Sequence, residues 1–102
     1  MRVIKRLPLV EFGRRHPKAA RPLDEWFRIV LRSRWRTFVD VRRSFGQTDI
    51  ARVNSGNRVC VFDIGGNKYR IIAKVSYEKQ KLYILRILTH SEYDTNAWKD
   101  QL

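Results

Sequence analysis

This chain has a single cysteine, Cys60, no run of apolar residues long enough to cross a bilayer, and few acids. Each shortage excludes something. One cysteine rules out a disulfide framework, a CxxC redox pair and a cysteine-based zinc site. Alternation along its segment sets Cys60 beside Phe62 and Ile64, as a small buried hydrophobe. The opening MRVIKRLPLVEF lacks the apolar core and small-residue cleavage site of a secretory signal, so a cytoplasmic protein with no membrane association is expected. The carboxylates Asp63, Glu78, Glu92, Asp94 and Asp100 fall at no metal-ligand spacing, and no metal or other cofactor is expected. No repeat, low-complexity tract or internal linker interrupts the chain.

What is abundant is positive charge. Lys and Arg number 22 against 10 Asp and Glu, for a net charge of +12 and a pI near 10.7. A field of that sign favours polyanionic partners: nucleic acid, an anionic surface or an acidic protein. The length, 102 residues, suits one domain, 1–102, with a two-layer core.

Hydrophobic spacing then divides the chain. Met1 to Arg6 reads as a short strand or a basic lead-in. Leu7 to Arg15 reads as a short helix, with Pro8 acceptable in a first turn and His16-Pro17 ending it. Ala19 to Arg34 carries Leu23, Trp26, Phe27, Val30 and Leu31 on one helical face. Trp35 to Phe45 reads as a third helix with Thr37 as N-cap and Gly46 as its stop. A brief strand over Ile50 to Val53 precedes an Asn54-Ser55-Gly56-Asn57 loop.

Arg58 to Asp94 follows as three strands. Val59–Ile64 turns at Gly65-Gly66-Asn67 into Lys68–Ser76, which turns at Tyr77–Gln80 into Lys81–Thr89. Strict alternation groups Tyr69, Ile71, Ala73 and Val75 on one face of the second strand. On the third it groups Leu82, Ile84, Arg86, Leu88 and His90. The expectation is an α+β two-layer fold: an antiparallel sheet of three to four strands, N-terminal helices on one face, and the other face open. In the tail, Ala97, Trp98 and Leu102 suit one helical turn.

The open face would carry Lys68, Arg70, Lys74 and Arg86, with His90 at one end and Tyr93 just beyond. RNA cleavage by 2′-hydroxyl attack needs a base, an acid and cations that hold the phosphate. Histidine suits either proton role, arginine grips phosphate bidentately, and lysine acts as a point charge. Tyr93 or Trp98 could stack on unpaired bases. The same residues also fit a phosphate patch with no reaction attached, or a docking face for an acidic protein. Arg70 equally suits a cross-strand pair with Asp63.

The segment VFDIGGNKYRIIAKVSYEKQKLYILRILTHSEYD, with the MRVI start, the His-Pro boundary, the Trp-bearing second helix and TFVDVRRSF, resembles the HigB-type toxins of bacterial type II toxin–antitoxin systems. The family pattern is VFNIKGNKYRL-like with a TH-x-EYD ending; Asp63 and Gly65 stand here where Asn and Lys are common. The resemblance implies a RelE/ParE-like fold and a translation-dependent mRNA interferase. It also implies messenger RNA and the ribosome as partners, and neutralisation by a HigA-type helix-turn-helix antitoxin. Carried over by motif, the distinctive positions are Lys68, Tyr69, Arg70, His90, Glu92, Tyr93 and Asp94. Alternation agrees for Lys68, Arg70 and His90, adds Lys74 and Arg86, and directs Tyr69 to the core. The expected catalytic set is His90, Tyr93, Arg70 and Arg86, with Lys68 and Lys74 binding RNA. Two other readings fit the same fold: a gyrase-type protein inhibitor of the ParE branch, and a non-catalytic RNA- or ribosome-binding module.

Overall fold

The chain folds, in a computed structural model describing residues 1–102, as β1 (Arg2–Ile4), α1 (Leu7–Arg15), α2 (Pro17–Arg32), α3 (Phe38–Ser44) and β2 (Asp49–Arg52). It continues as β3 (Arg58–Ile64), β4 (Tyr69–Ser76), β5 (Lys81–Thr89), α4 (His90–Asp94) and a 3-10 turn, Ala97–Gln101. The class is α+β as expected. The sheet, however, has five strands, in the order β1-β5-β4-β3-β2, and it is mixed. β1 pairs parallel to β5, with Arg2 opposite Lys81, whereas the other pairings are antiparallel. A three-residue strand carries too little pattern to announce its partner, and only the return of the chain through α1 and α2 makes the pairing parallel.

Helix α2 buries Ala19, Leu23, Trp26 and Val30 on one stripe, while Leu31 remains 47% exposed. The sequence face thus sits one residue off at its C-terminal end. Trp26 meets Phe62 edge-on, with ring centroids 5.3 Å apart. Trp35 stacks on Phe62 at 6.3 Å. Trp35 precedes α3 instead of lying within it; it is buried in an extended link and its indole N–H donates to Ser44 Oγ. The burial of these side chains with Ile71, Ala73, Leu82 and Ile84 forms the main core, and removing that apolar area from water is the chief stabilising term.

One departure from strict alternation and one covering segment shape the opposite face. The β4–β5 register shifts between Ile72 and Ala73: Ile72 faces Arg86, but Ala73 faces Ile84. One residue of β5 is therefore extra, a β-bulge. The bulge reverses parity, so Leu82 and Ile84 join the helix-side core whereas Arg86 and Leu88 face the other way. Nor is that second face open. Trp98, 4% exposed, covers Val53, Val59, Val61, Ile72 and Leu88 in a core of its own, with Tyr93 and Leu102 packed against it. The tail is tied down by Asn54 N–H donating to the Lys99 carbonyl and by an Asn54–Asp100 side-chain bond.

Candidate active site

The motif THSEYD folds as a helix start. Thr89 Oγ accepts from the Glu92 backbone N–H, and Glu92 Oε1 accepts from the Thr89 N–H, a capping box. Glu92 is thus occupied in holding the turn. The box fixes the first helical residue, His90, whose backbone N–H donates to the Lys68 carbonyl at 2.9 Å. One turn later Asp94 Oδ2 lies 3.0 Å from His90 Nε2, with the histidine side chain 51% exposed. The carboxylate holds the ring through Nε2.

Across the sheet, Gly65, Gly66 and Asn67 all adopt positive φ. The two glycines make this turn possible, since side chains rarely tolerate that region. The turn aims Asn67 back at β4. Arg70 donates through Nη1 to the Asn67 carbonyl at 2.8 Å and to the Tyr69 carbonyl at 3.3 Å, and through Nη2 to Asn67 Oδ1. Its Nε lies 3.1 Å from Asp63 Oδ1. Arg70 is only 7% exposed, and its fork is largely engaged inside the protein. That placement departs from an arginine free to grip phosphate. It also places the Arg70 guanidinium 5.0 Å from the centre of the Tyr93 ring.

Tyr93 lies between that cation and Trp98, whose ring stacks on it at 5.5 Å. The Trp98 indole N–H donates to the Tyr93 carbonyl. Trp98 is therefore a core residue and does not serve as an exposed platform for bases. Burial raises the Tyr93 phenol above its ordinary pKa, the carboxylates Asp49, Asp63 and Asp94 add to the rise, and Arg70 opposes it. The phenol accordingly keeps its proton at neutral pH.

The remaining expected residues are more dispersed. Arg86 is half-buried on β5, donating to the Leu85 carbonyl and to Gln101 Oε1. It sits two residues along the sheet from Leu88, the partner of Arg70. Lys68 is exposed in the turn beside His90. Lys74 is exposed opposite Tyr83, about 13 Å along β4 from Arg70. Tyr69 turns to the helix side, edge-on to Phe12 at 5.6 Å. The structure thus brings Lys68, Arg70, His90 and Tyr93 to one end of the sheet, leaves Arg86 on the flank and sets Lys74 apart. Sequence reasoning passed over Asn67 and Asp49. Asn67 carries a signal, an Asn in a left-handed turn three residues before a buried arginine; Asp49 becomes visible only once β2 aligns it opposite Val61. No group of three or more His, Cys, Asp or Glu side chains is assembled to hold a metal ion.

A small basic α+β chain with a histidine, a protonated tyrosine and lysine at one sheet end has the outline of a RelE-like toxin. Residues 19–96 match the HigB toxin family, the RelE-like toxic component of a toxin–antitoxin system. The chain belongs to that family. It is 29% identical over 94 residues to an mRNA interferase HigB of Escherichia coli O6:H1, covering 92% of this chain and 89% of the relative. Over a shorter stretch of 34 residues, a third of each chain, it is 53% identical to the mRNA interferase toxin HigB of E. coli K12. The mRNA interferase HigB of Shigella flexneri matches to the same extent. As the toxic component of such a system, the protein has an antitoxin as its partner.

Proposed function

We propose that this toxin is an mRNA interferase: a metal-independent endoribonuclease that cuts messenger RNA on the ribosome in the cytoplasm and is neutralised by a HigA-type helix-turn-helix antitoxin. The observation that carries the reading is the Arg70–Tyr93–Trp98 column standing beside the His90–Asp94 pair, in a chain whose relatives are named mRNA interferases.

The roles follow from protonation. His90, oriented by Asp94, takes the proton of the ribose 2′-hydroxyl, whose oxygen attacks the adjacent phosphorus. Tyr93, with its pKa raised chiefly by burial, holds a proton at neutral pH and delivers it to the departing 5′ oxygen. The products are a 2′,3′-cyclic phosphate and a 5′-hydroxyl, with no water consumed in the step. Lys68 and Arg86 offset the charge gathering on the phosphoryl oxygens, and Lys74 adds to the field that draws in RNA. Arg70 is assigned a positioning role, holding the Tyr93 ring against Trp98, in place of direct phosphate contact.

Primer extension on a translated message tests the reading. Proton-transfer groups contribute about 10²- to 10⁴-fold, so His90→Gln and Tyr93→Phe should each lower cleavage by roughly that much while the fold persists. A His90→Gln protein that cuts and arrests growth like wild type refutes the assignment. Intact messages alongside trapped, cut DNA would instead favour the gyrase-type inhibitor.

A further inference from the structure

The far end of the molecule carries a second concentration of charge that the cleavage site does not use. The segment LRSRWRT alternates arginine with residues that point inward: Ser33 bonds the Ile29 carbonyl and Trp35 is buried. Beyond the last turn of α2 the backbone is extended at Ser33, so alternation faces Arg34 and Arg36 to solvent. Arg32 from α2 and Arg2 from β1 join them around a concavity of about 810 Å³.

All four arginines are exposed and none has a carboxylate partner within 4.0 Å. The neighbouring Asp40 is engaged elsewhere, by the Arg36 backbone N–H and by Arg43. The framework beneath is fixed. Gln80 Nε2 donates to the carbonyls of Trp35 and Tyr77, and the Arg2 N–H donates to the Gln80 carbonyl. Three separate segments are thereby clamped, and the arginines project from a preorganised rim. Unpaired like charges held together destabilise a fold unless a ligand uses them.

From this we infer that the Arg2–Arg32–Arg34–Arg36 concavity binds the phosphate backbone of double-helical RNA. Planar guanidinium forks match phosphate. Four guanidinium groups dominate the rim, Trp35 is buried beneath it and Tyr77 is half-buried in its wall, so phosphate contact outweighs the base stacking that single-strand sites use. Its apolar lining is confined to Met1, Leu31 and Tyr77 among the arginines, less than the clustered apolar anchor a protein partner would need. Arg2 pairs with Lys81 at one end of β5, and His90 follows Thr89 at the other, about 26 Å away. The two sites are thus separate, and a toxin acting on the ribosome would hold folded ribosomal RNA at one end while its message lies at the other. That last step rests on the cleavage reading; the binding itself does not.

The test is fluorescence anisotropy with a short blunt-ended RNA duplex across a salt series. The fourfold variant R2Q/R32Q/R34Q/R36Q should bind at least about 10-fold more weakly, and its log K against log salt should be shallower by about 2 to 4, close to one per phosphate contact. The single variants R32Q and R34Q should each flatten the slope by about 1 and serve if the fourfold protein misfolds. His90→Ala should bind the duplex like wild type, so a failed cleavage reading and a failed duplex site are told apart. Unchanged affinity and slope in the arginine variants overturn the inference. So does competition by poly-glutamate as effective as that by the duplex, which would reassign the concavity to an acidic protein.

Discussion

Replacing Arg70 with alanine separates a structural guanidinium from a chemical one. The side chain is buried, ion-paired to Asp63, and bonded to Asn67 and the Tyr69 carbonyl. Breaking a fully buried pair costs about 3–5 kcal/mol. The Asp63 side chain is 27% exposed, so water recovers part of that and about 2 kcal/mol remains. Losing the bonds that fasten the Gly65–Lys68 turn adds about 1 kcal/mol. The sum, about 3 kcal/mol, corresponds to a fall in Tm of roughly 12–24 °C for a domain of this size. Thermal unfolding by circular dichroism, at matched salt, reads it directly. A cycle with Asp63→Ala should return a coupling energy of about 1–2 kcal/mol between the two side chains. Arg70→Lys keeps the charge but not the fork, and should recover less than half of the lost stability. Cleavage measured well below the lowered Tm should fall mainly through misplaced Tyr93. An Arg70→Ala protein with wild-type Tm and no cleavage would refute this, since it would show the guanidinium acting on the substrate.

Trp98→Ala should destabilise the protein by about 3–5 kcal/mol and expose the second core, which hydrogen exchange at Val59, Val61 and Ile72 would register as lost protection. Stability should also decline at alkaline pH. Burial raises the Cys60 thiol from 9.0 to about 11 and the Tyr77 phenol from 10.0 to about 12. The folded state retains protons that the unfolded chain gives up, so stability present below about pH 9 is lost progressively as pH climbs through the folded values. A urea midpoint that stays level between about pH 8 and 11 would contradict that sign. Gly65→Ala should cost about 1–2 kcal/mol through its positive φ, and should loosen Arg70 along with the turn.

Much of the molecule was decided by the order of residues alone. The helices of the N-terminal half follow from apolar spacing and the His16-Pro17 break, and the two hairpins from the turns at Gly65-Gly66-Asn67 and Tyr77–Gln80, because such signals act within a few residues. The gathering of Lys68, Arg70, His90 and Tyr93 was legible for the same reason: two neighbouring strands joined by a tight turn bring their ends together. The Thr89–Glu92 capping box that starts α4 was equally local but went unread. Tertiary structure decided the rest. The bulge in β5 transfers Leu82 and Ile84 to the helix side, a choice made by packing against Ile71 and Ala73 that no alternation within β5 records. The parallel seat of β1, the burial of Trp98 over the second face and the engagement of Arg70 by Asp63 all depend on partners distant in the chain. Their free energy comes from surfaces that exist only once the sheet has formed, so the residues involved carry no local trace of it.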